Sequence, residues 1–144
     1  EWIDAFINVD RVGSGDSIAL LGAKRFPMIN SIALKNDSLY TMYAKQGLVS
    51  MPMGDARAFA QIGIPSLSIC TTNGHRYDHV RSDIPENIDR RMVSRVATLL
   101  YHTLVELSNG DYQGRSEQSR EIKFNPDLGK INPYSDGNSI DGLN

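Results

Sequence analysis

Acidic and histidine side chains occur in this sequence where a strand, a helix or a loop is expected to begin or end. Asp10 follows the short apolar run 2–9, and Asp55 follows Gly54 at the expected start of a helix. The polar loop 71–83 carries the other candidates, which are His75, Tyr77, Asp78, His79 and Asp83. Carboxylate and imidazole groups bind catalytic metal ions and act as general acids or bases in hydrolysis. These are therefore the residues whose chemistry could support an active site.

Each candidate also has a purely structural interpretation. Asp10 can begin a turn or pair with the next residue, and Asp55 and Asp83 can serve as cap and turn residues. His75 and His79 have an i, i+4 spacing, but no Glu follows His75 and the loop lacks the apolar pattern of a helix. The helical two-histidine zinc motif is therefore absent. Spacing alone favours these structural interpretations over a metal site.

The apolar patterning predicts an α/β domain that would position these residues. Strands are predicted over 2–9, 17–23 and 64–70, and helices over 27–43, 55–63 and 89–109. The Asn36-Asp37 pair leaves open whether residues 27–43 form one helix or two. The last helix has Asp89 as its N-cap, a stop at Asn109-Gly110 and an apolar stripe, formed by Met92, Val93, Val96, Leu99, Leu100, Leu104 and Leu107. In α/β sheets, ligands gather at the carboxyl ends of strands, where Asp10 and the polar loop are expected.

Composition excludes several classes of protein. The 144 residues include 15 Lys+Arg and 17 Asp+Glu, giving a net charge of −2, so no basic stripe is available for nucleic acid. No apolar run is long enough to span a membrane. The single cysteine, Cys70, excludes an internal disulfide and a cysteine-based zinc site, and we interpret it as a buried thiol. His102, off the apolar stripe of its helix, is interpreted as structural. The composition changes after residue 110, so 111–144 is predicted to be a polar tail or a C-terminal extension.

Three segments carry a resemblance to a known family. Residues 6–13 are Phe-Ile-Asn-Val-Asp-Arg-Val-Gly and resemble Asn-x-Asp-Met-x-Gly at the end of a strand. Residues 54–59, Gly-Asp-Ala-Arg-Ala-Phe, resemble Ser-Asp-His-x-x-Phe and precede Gly-Ile-Pro at 63–65. Residues 79–89, His-Val-Arg-Ser-Asp-Ile-Pro-Glu-Asn-Ile-Asp, resemble His-Thr-x-x-Asp-Thr-x-Glu-Asn-Ile-Asp. In this order, over about residues 2–107, the segments resemble the co-catalytic di-zinc aminopeptidases, which include bacterial leucyl aminopeptidases, glutamate carboxypeptidase and glutaminyl cyclases.

The resemblance implies a fold, a reaction and site residues. The fold would be the C-terminal part of a zinc-exopeptidase-like three-layer α/β fold, in which a mixed sheet is flanked by helices. Two zinc ions about 3.5–4 Å apart would activate a water that hydrolyses N-terminal peptide bonds. By motif position, Asp10 would bind one zinc and His79 the other. Asp83 would lie near His79 and fix the orientation of its imidazole, and Asp55 would lie near the site as a hydrogen-bonding or substrate-side carboxylate.

The sequence also departs from the family pattern. Asp78 stands where an aromatic residue normally precedes the zinc histidine, with Tyr77 one step earlier. Arg11 replaces Met and could neutralise Asp10, while Val80 replaces Thr and Ala56 replaces His. The resemblance places the other ligands and the general-base Glu before Asp10, so it assigns no catalytic base within this chain.

This incomplete set of ligands predicts that the chain alone is inactive. A missing N-terminal half, a second copy of the chain or the 34-residue tail 111–144 could cover the exposed sheet edge. The alternative is a non-catalytic peptidase-like module used for binding or assembly. The single-zinc glutaminyl cyclase branch ranks below both, and family habit points to a secreted or periplasmic protein.

Overall fold

The computed structural model describes residues 3–41, 44–46, 51–73, 77–110, 112 and 114. The elements, in chain order, are β1 (Phe6–Val9), β2 (Ile18–Leu21), α1 (Pro27–Tyr40), β3 (Ala44–Gln46), α2 (Ala56–Gln61), β4 (Ser66–Thr71), a 3₁₀ helix (Pro85–Asn87) and α3 (Arg90–Asn109). This arrangement confirms the α/β prediction. The predicted tail 111–144 lies outside the described residues, apart from Tyr112 and Gly114.

The four strands form one mixed sheet in the order β1-β4-β2-β3. β1 runs parallel to β4, with Val9 beside Ile69, and β2 runs parallel to β3. β4 and β2 are antiparallel, with Leu20 beside Ile69. Because β1 and β4 run in the same direction, their carboxyl ends lie side by side at one edge of the sheet.

One face of the sheet carries the main apolar core. Alternation along the strands places Ile18 and Leu20 of β2 on the same face as Leu67 and Ile69 of β4, and all four side chains are fully buried. This face packs against apolar residues of two helices. These are Phe26, which precedes α1, Ile29 and Ala33 of α1, and Met92, Val96 and Leu99 of α3. Helices α1 and α3 therefore form one layer on the sheet.

The other face of the sheet, which includes Phe6, Ser66 and Ser68, contacts a second layer. Phe6 of β1 stacks on Phe59 of α2, with ring centroids 3.8 Å apart. The Ser68 hydroxyl donates to the Met53 carbonyl at 2.7 Å and accepts from the Met53 amide at 2.9 Å. These contacts attach α2 and the segment before it to the sheet. The result is the three-layer arrangement that the sequence predicts.

Helix α3 has the predicted cap and bounds. The Asp89 carboxylate accepts hydrogen bonds from the backbone amides of Arg91, at 2.8 Å, and Met92, at 3.3 Å. Its predicted apolar stripe is only partly buried, because Val93 and Leu104 are 38% and 48% exposed. Of the helices that the structure describes, none has the length and hydropathy of a membrane span.

Polar contacts join α1 to α3 on the side away from the strands. Lys35 and Asn36 each donate a hydrogen bond to Glu106, both at 3.0 Å. The hydrogen bond from Lys35 is the main reason why the pKa of Glu106 lies below its ordinary value. His102 stacks on Tyr40 with ring centroids 3.5 Å apart, in agreement with its structural interpretation.

Several predicted bounds are corrected by the structure. β1 begins at Phe6 and is half-buried rather than buried, because it pairs with β4 along one side only among the described residues. Residues 27–40 form a single helix, in which Asn36 and Asp37 are buried polar residues rather than a break. β3 was not predicted, since Ala-Lys-Gln has no strand pattern of its own and forms by pairing with β2.

Candidate functional site

A groove of about 430 Å³ lies at the carboxyl ends of β1 and β4. Asp10 enters it from the end of β1, while the chain after β4 returns to it at residues 77–79 and 83–88. The candidate residues that line it are Asp10, Tyr77, Asp78, His79 and Asp83. Residues far apart in sequence therefore meet here, as expected for the carboxyl edge of a sheet.

Hydrogen bonds fix the turn that carries Asp10. Its amide donates to the Ile69 carbonyl at 3.1 Å, and its Oδ1 accepts from the Arg11 amide at 2.8 Å. The Arg11 carbonyl accepts from the Thr71 hydroxyl at 2.7 Å. Gly54 lies against this turn. A Cβ at this position would come within 2.6 Å of the side-chain nitrogen Nδ2 of Asn8 and 3.7 Å of Asp10 Oδ2. The Asp10 carboxylate is exposed and its Oδ2 faces this small residue.

A second turn carries His79. The Val80 amide donates to the Tyr77 carbonyl at 3.4 Å, and the Asp83 amide donates to the Val80 carbonyl at 3.0 Å. His79 itself has φ of +59°, a left-handed conformation that costs a non-glycine residue about 1–3 kcal/mol. Its side chain is exposed, whereas Tyr77 and Asp78 are half-buried. The imidazole is therefore open to the groove.

An ion pair connects the two turns. Arg11 Nε lies 2.7 Å from Asp78 Oδ2, and the two side chains are 39% and 24% exposed. Arg11 also has a left-handed backbone, with φ of +53°. The guanidinium thus pairs with Asp78, while among the described residues Asp10 accepts only the Arg11 backbone amide. The sequence indicated that Arg11 could neutralise Asp10, and in the structure its guanidinium forms an ion pair with Asp78.

The remaining candidates lie at or near this groove. Asp83 lines it together with His79, and its role in orienting the imidazole stays a prediction. Asp55 stands at the N-cap position of α2 without a side-chain capping bond, and it is not among the groove-lining residues. Its neighbour Gly54 contacts the Asp10 turn. His75 lies outside the described residues.

Behind the groove, the Cys70 thiol is half-buried at the end of β4. Burial raises its pKa to about 11, while the nearby Arg11 charge lowers it and the Asp10 charge raises it. The thiol is therefore protonated at neutral pH, and the interpretation of Cys70 as an unreactive thiol is supported. Nucleophilic chemistry at this position is not favoured.

The donor groups of the groove match zinc in type but not in number. Asp10 and His79 supply one carboxylate and one imidazole, both common zinc ligands. A catalytic zinc normally has three protein ligands, and the described residues contain no group of three or more His, Cys, Asp or Glu side chains placed to hold a metal ion. These residues alone therefore do not form a complete zinc site.

Part of the groove wall was not predicted. The apolar side chains of Val12, Ile84 and Ile88 line it, together with Asn87 of the 3₁₀ helix. The Asp89 amide donates to the Gly13 carbonyl and holds this wall against the Asp10 turn. The signal for it was the pair of apolar residues, Ile84 and Ile88, in an otherwise polar segment.

Comparison with known proteins identifies one family. The sequence model described as peptidase family M28 matches residues 1–104. This match covers the sheet, the groove and most of α3. No curated protein and no solved structure matches the chain significantly.

Proposed function

The chain belongs to peptidase family M28, and on that premise we propose that it contributes to a zinc-dependent exopeptidase that removes N-terminal residues from peptides. The observation that carries this proposal is that Asp10 and His79, which come from distant parts of the sequence, line the same groove. Both are exposed, and both have the donor atoms that zinc requires.

The charge of the groove supports a substrate with a free amino terminus. Asp10, Asp78 and Asp83 line it; with Asp10 assigned to zinc and Asp78 paired with Arg11, Asp83 is the carboxylate of these three that is left to meet an ammonium group. An acidic pocket attracts an ammonium group, and the apolar wall residues offer a surface for a neighbouring side chain. This arrangement favours an aminopeptidase over an enzyme that binds a terminal carboxylate.

The metal centre of the proposed enzyme would need ligands beyond the described residues. Asp10 and His79 would contribute one ligand to each of two zinc ions, and a single ligand does not hold zinc. We therefore expect the 144-residue chain to retain less than one zinc per molecule. Stoichiometric zinc that is lost in His79→Ala would overturn this point, because the chain would then hold further ligands of its own.

The test of the function uses the full-length natural polypeptide that carries this sequence. We expect it to contain zinc and to release p-nitroaniline from aminoacyl p-nitroanilides, but not from their N-acetylated forms. Asp10→Asn and His79→Ala should each remove zinc and activity. Asp16→Asn is the matched control, since this exposed carboxylate pairs with Asn73 outside the groove lining. A folded wild-type protein without zinc or hydrolysis would refute the proposal.

One observation favours a second candidate, a non-catalytic peptidase-like module. The guanidinium of Arg11 stands beside the groove and pairs with Asp78, at two positions where the sequence departs from the family pattern. A fixed cation next to Asp10 disfavours the binding of a second cation. Under this alternative, the groove binds peptides without hydrolysing them, and retained binding of an unblocked peptide in the absence of zinc would identify it.

A further inference from the structure

Two charged residues contact each other at positions where the resemblance leads one to expect uncharged side chains. Arg11 directly follows Asp10, and Asp78 directly precedes His79. Their Nε–Oδ2 distance of 2.7 Å therefore joins the immediate neighbours of the two proposed zinc ligands. Because a peptide unit is rigid, a constraint on Arg11 or Asp78 also restrains the position of the residue next to it.

Both turns have a conformation that requires external support. Arg11 and His79 have φ of +53° and +59°, and such residues keep a left-handed backbone only where their surroundings hold it. The Arg11 turn is bonded to Thr71 of β4. The His79 turn has the hydrogen bonds Val80 to Tyr77 and Asp83 to Val80, which lie within the turn itself. A link between the two turns would transmit the order of the first to the second.

The paired atoms are well placed for such a link. Asp78 Oδ2 is buried and accepts no hydrogen bond within the described residues, so the Arg11 guanidinium at 2.7 Å is its charged partner without an aligned N–H bond. Partial burial reduces the screening of the pair by solvent, so it constrains the geometry more than a fully exposed pair does. The pairing also directs the guanidinium to Asp78, so that within the described residues the Asp10 carboxylate accepts only from a backbone amide.

We propose that Arg11 and Asp78 are positioning residues, whose ion pair holds the Asp10 turn against the His79 turn and keeps the guanidinium from neutralising Asp10. The use of this geometry for metal binding rests on the proposed function. We call this ion-paired link between the two turns the clamp. It is a property of the 144-residue chain and is tested on that chain.

The first test measures amide exchange by NMR in the chain carrying Arg11→Met. Methionine keeps an unbranched apolar stem and the positive-φ cost but removes the guanidinium and its charge. We expect the amides of Val80 and Asp83 to exchange at least several-fold faster. Lys35→Met is the matched control, because it breaks the Lys35–Glu106 pair between α1 and α3 and should leave these amides unchanged.

Two further variants separate charge from general damage. Asp78→Asn removes the other partner without a change of shape, and it should accelerate the same amides even if Arg11→Met does not fold. Arg11→Lys restores the cation and should recover much of the protection. Unchanged exchange in Asp78→Asn, or exchange in Arg11→Lys equal to that in Arg11→Met, would overturn the proposal.

Zinc binding to the full-length natural polypeptide supplies an independent readout. Asp78→Asn should lower zinc affinity by about 10–100-fold, as loss of an orienting partner does at other metal sites. The zinc measurement and the amide-exchange measurement test different claims, so one can fail without the other. Absence of zinc in the wild-type protein would refute the proposed function, whereas the exchange measurements would still decide the clamp; unchanged zinc affinity in Asp78→Asn would refute its role in positioning the ligands.

Discussion

At the scale of single residues, the groove shows how neighbours determine what a side chain can do. Asp10 and Asp78 are both carboxylates at the same groove, but a guanidinium pairs with Asp78 while Asp10 accepts a backbone amide. Of these two carboxylates, only Asp78 has a charged partner among the described residues. Cys70 lies close by, and burial makes its thiol a poor nucleophile.

The raised pKa of Cys70 predicts a pH-dependent stability. Below about pH 9 the thiol is protonated in both states; between about pH 9 and 11 the unfolded chain releases this proton while the folded chain keeps it. The free energy of unfolding should therefore decrease over this interval. Urea denaturation of the wild type and of Cys70→Ala gives the free energy of unfolding of each protein at each pH. The decrease that the wild type shows and the variant lacks is the contribution of the thiol. Parallel stability curves for the two proteins across this interval would contradict the assignment.

At the scale of elements, helix caps and strand pairing differ in how far they follow from local sequence. Asp89 and Asp55 both stand at N-cap positions, but only Asp89 bonds to backbone amides of its helix. Asp55 has a helical backbone conformation, with φ of −64° and ψ of −28°, and so cannot direct its carboxylate as an extended cap residue does. The same residue type in the same position thus has two different roles.

This difference gives a paired prediction. Asp89→Ala should lower the free energy of unfolding by about 1 kcal/mol, because two amides at the start of α3 lose their acceptor. Asp55→Ala removes no such bond and should change stability by less than half as much. Urea denaturation of both variants measures this. Equal losses would show that the Asp89 bonds do not stabilise the helix.

The elements also show what could be predicted from sequence and what could not. Helix α3 was predicted with its cap and end because these signals lie within one segment. β3 was missed because its three residues become a strand only by pairing with β2. The resemblance pointed to Asp10 and His79, but the partner of Arg11 is Asp78, which lies on another loop and is brought near only by the parallel pairing of β1 with β4. Local patterns do not contain such contacts.

At the scale of the whole molecule, the two faces of the sheet are held by different forces. Large apolar side chains bind α1 and α3 to one face, whereas a ring stack and serine hydroxyls hold the α2 layer on the other. The Gly54 turn belongs to this second layer and contacts the Asp10 turn. The groove therefore depends on a layer whose attachment combines the apolar Phe6–Phe59 stack with the polar contacts of Ser68.

Substitution of the serines tests this attachment. Ser68→Ala should destabilise the protein by about 1–3 kcal/mol, because the amide and carbonyl of Met53 lose their partner. Ser66→Ala is the matched control, since its equally buried hydroxyl bonds only to the nearby Ile64 carbonyl, at 2.7 Å. Its loss should be smaller. The midpoint of urea denaturation compares the stability of the two variants. If Ser66→Ala loses as much stability as Ser68→Ala, the Ser68 contacts do not specifically attach the α2 layer.

The Arg11–Asp78 pair also has an evolutionary consequence. If either residue changes alone, a charge next to the groove is left without its partner, and Asp78 Oδ2 is buried. Replacement of both residues is therefore expected to be more favourable than replacement of one, because a single replacement leaves one charge without its partner. The two positions should be inherited as a unit, and a relative with arginine after the strand-end aspartate should also carry an acidic residue before the histidine.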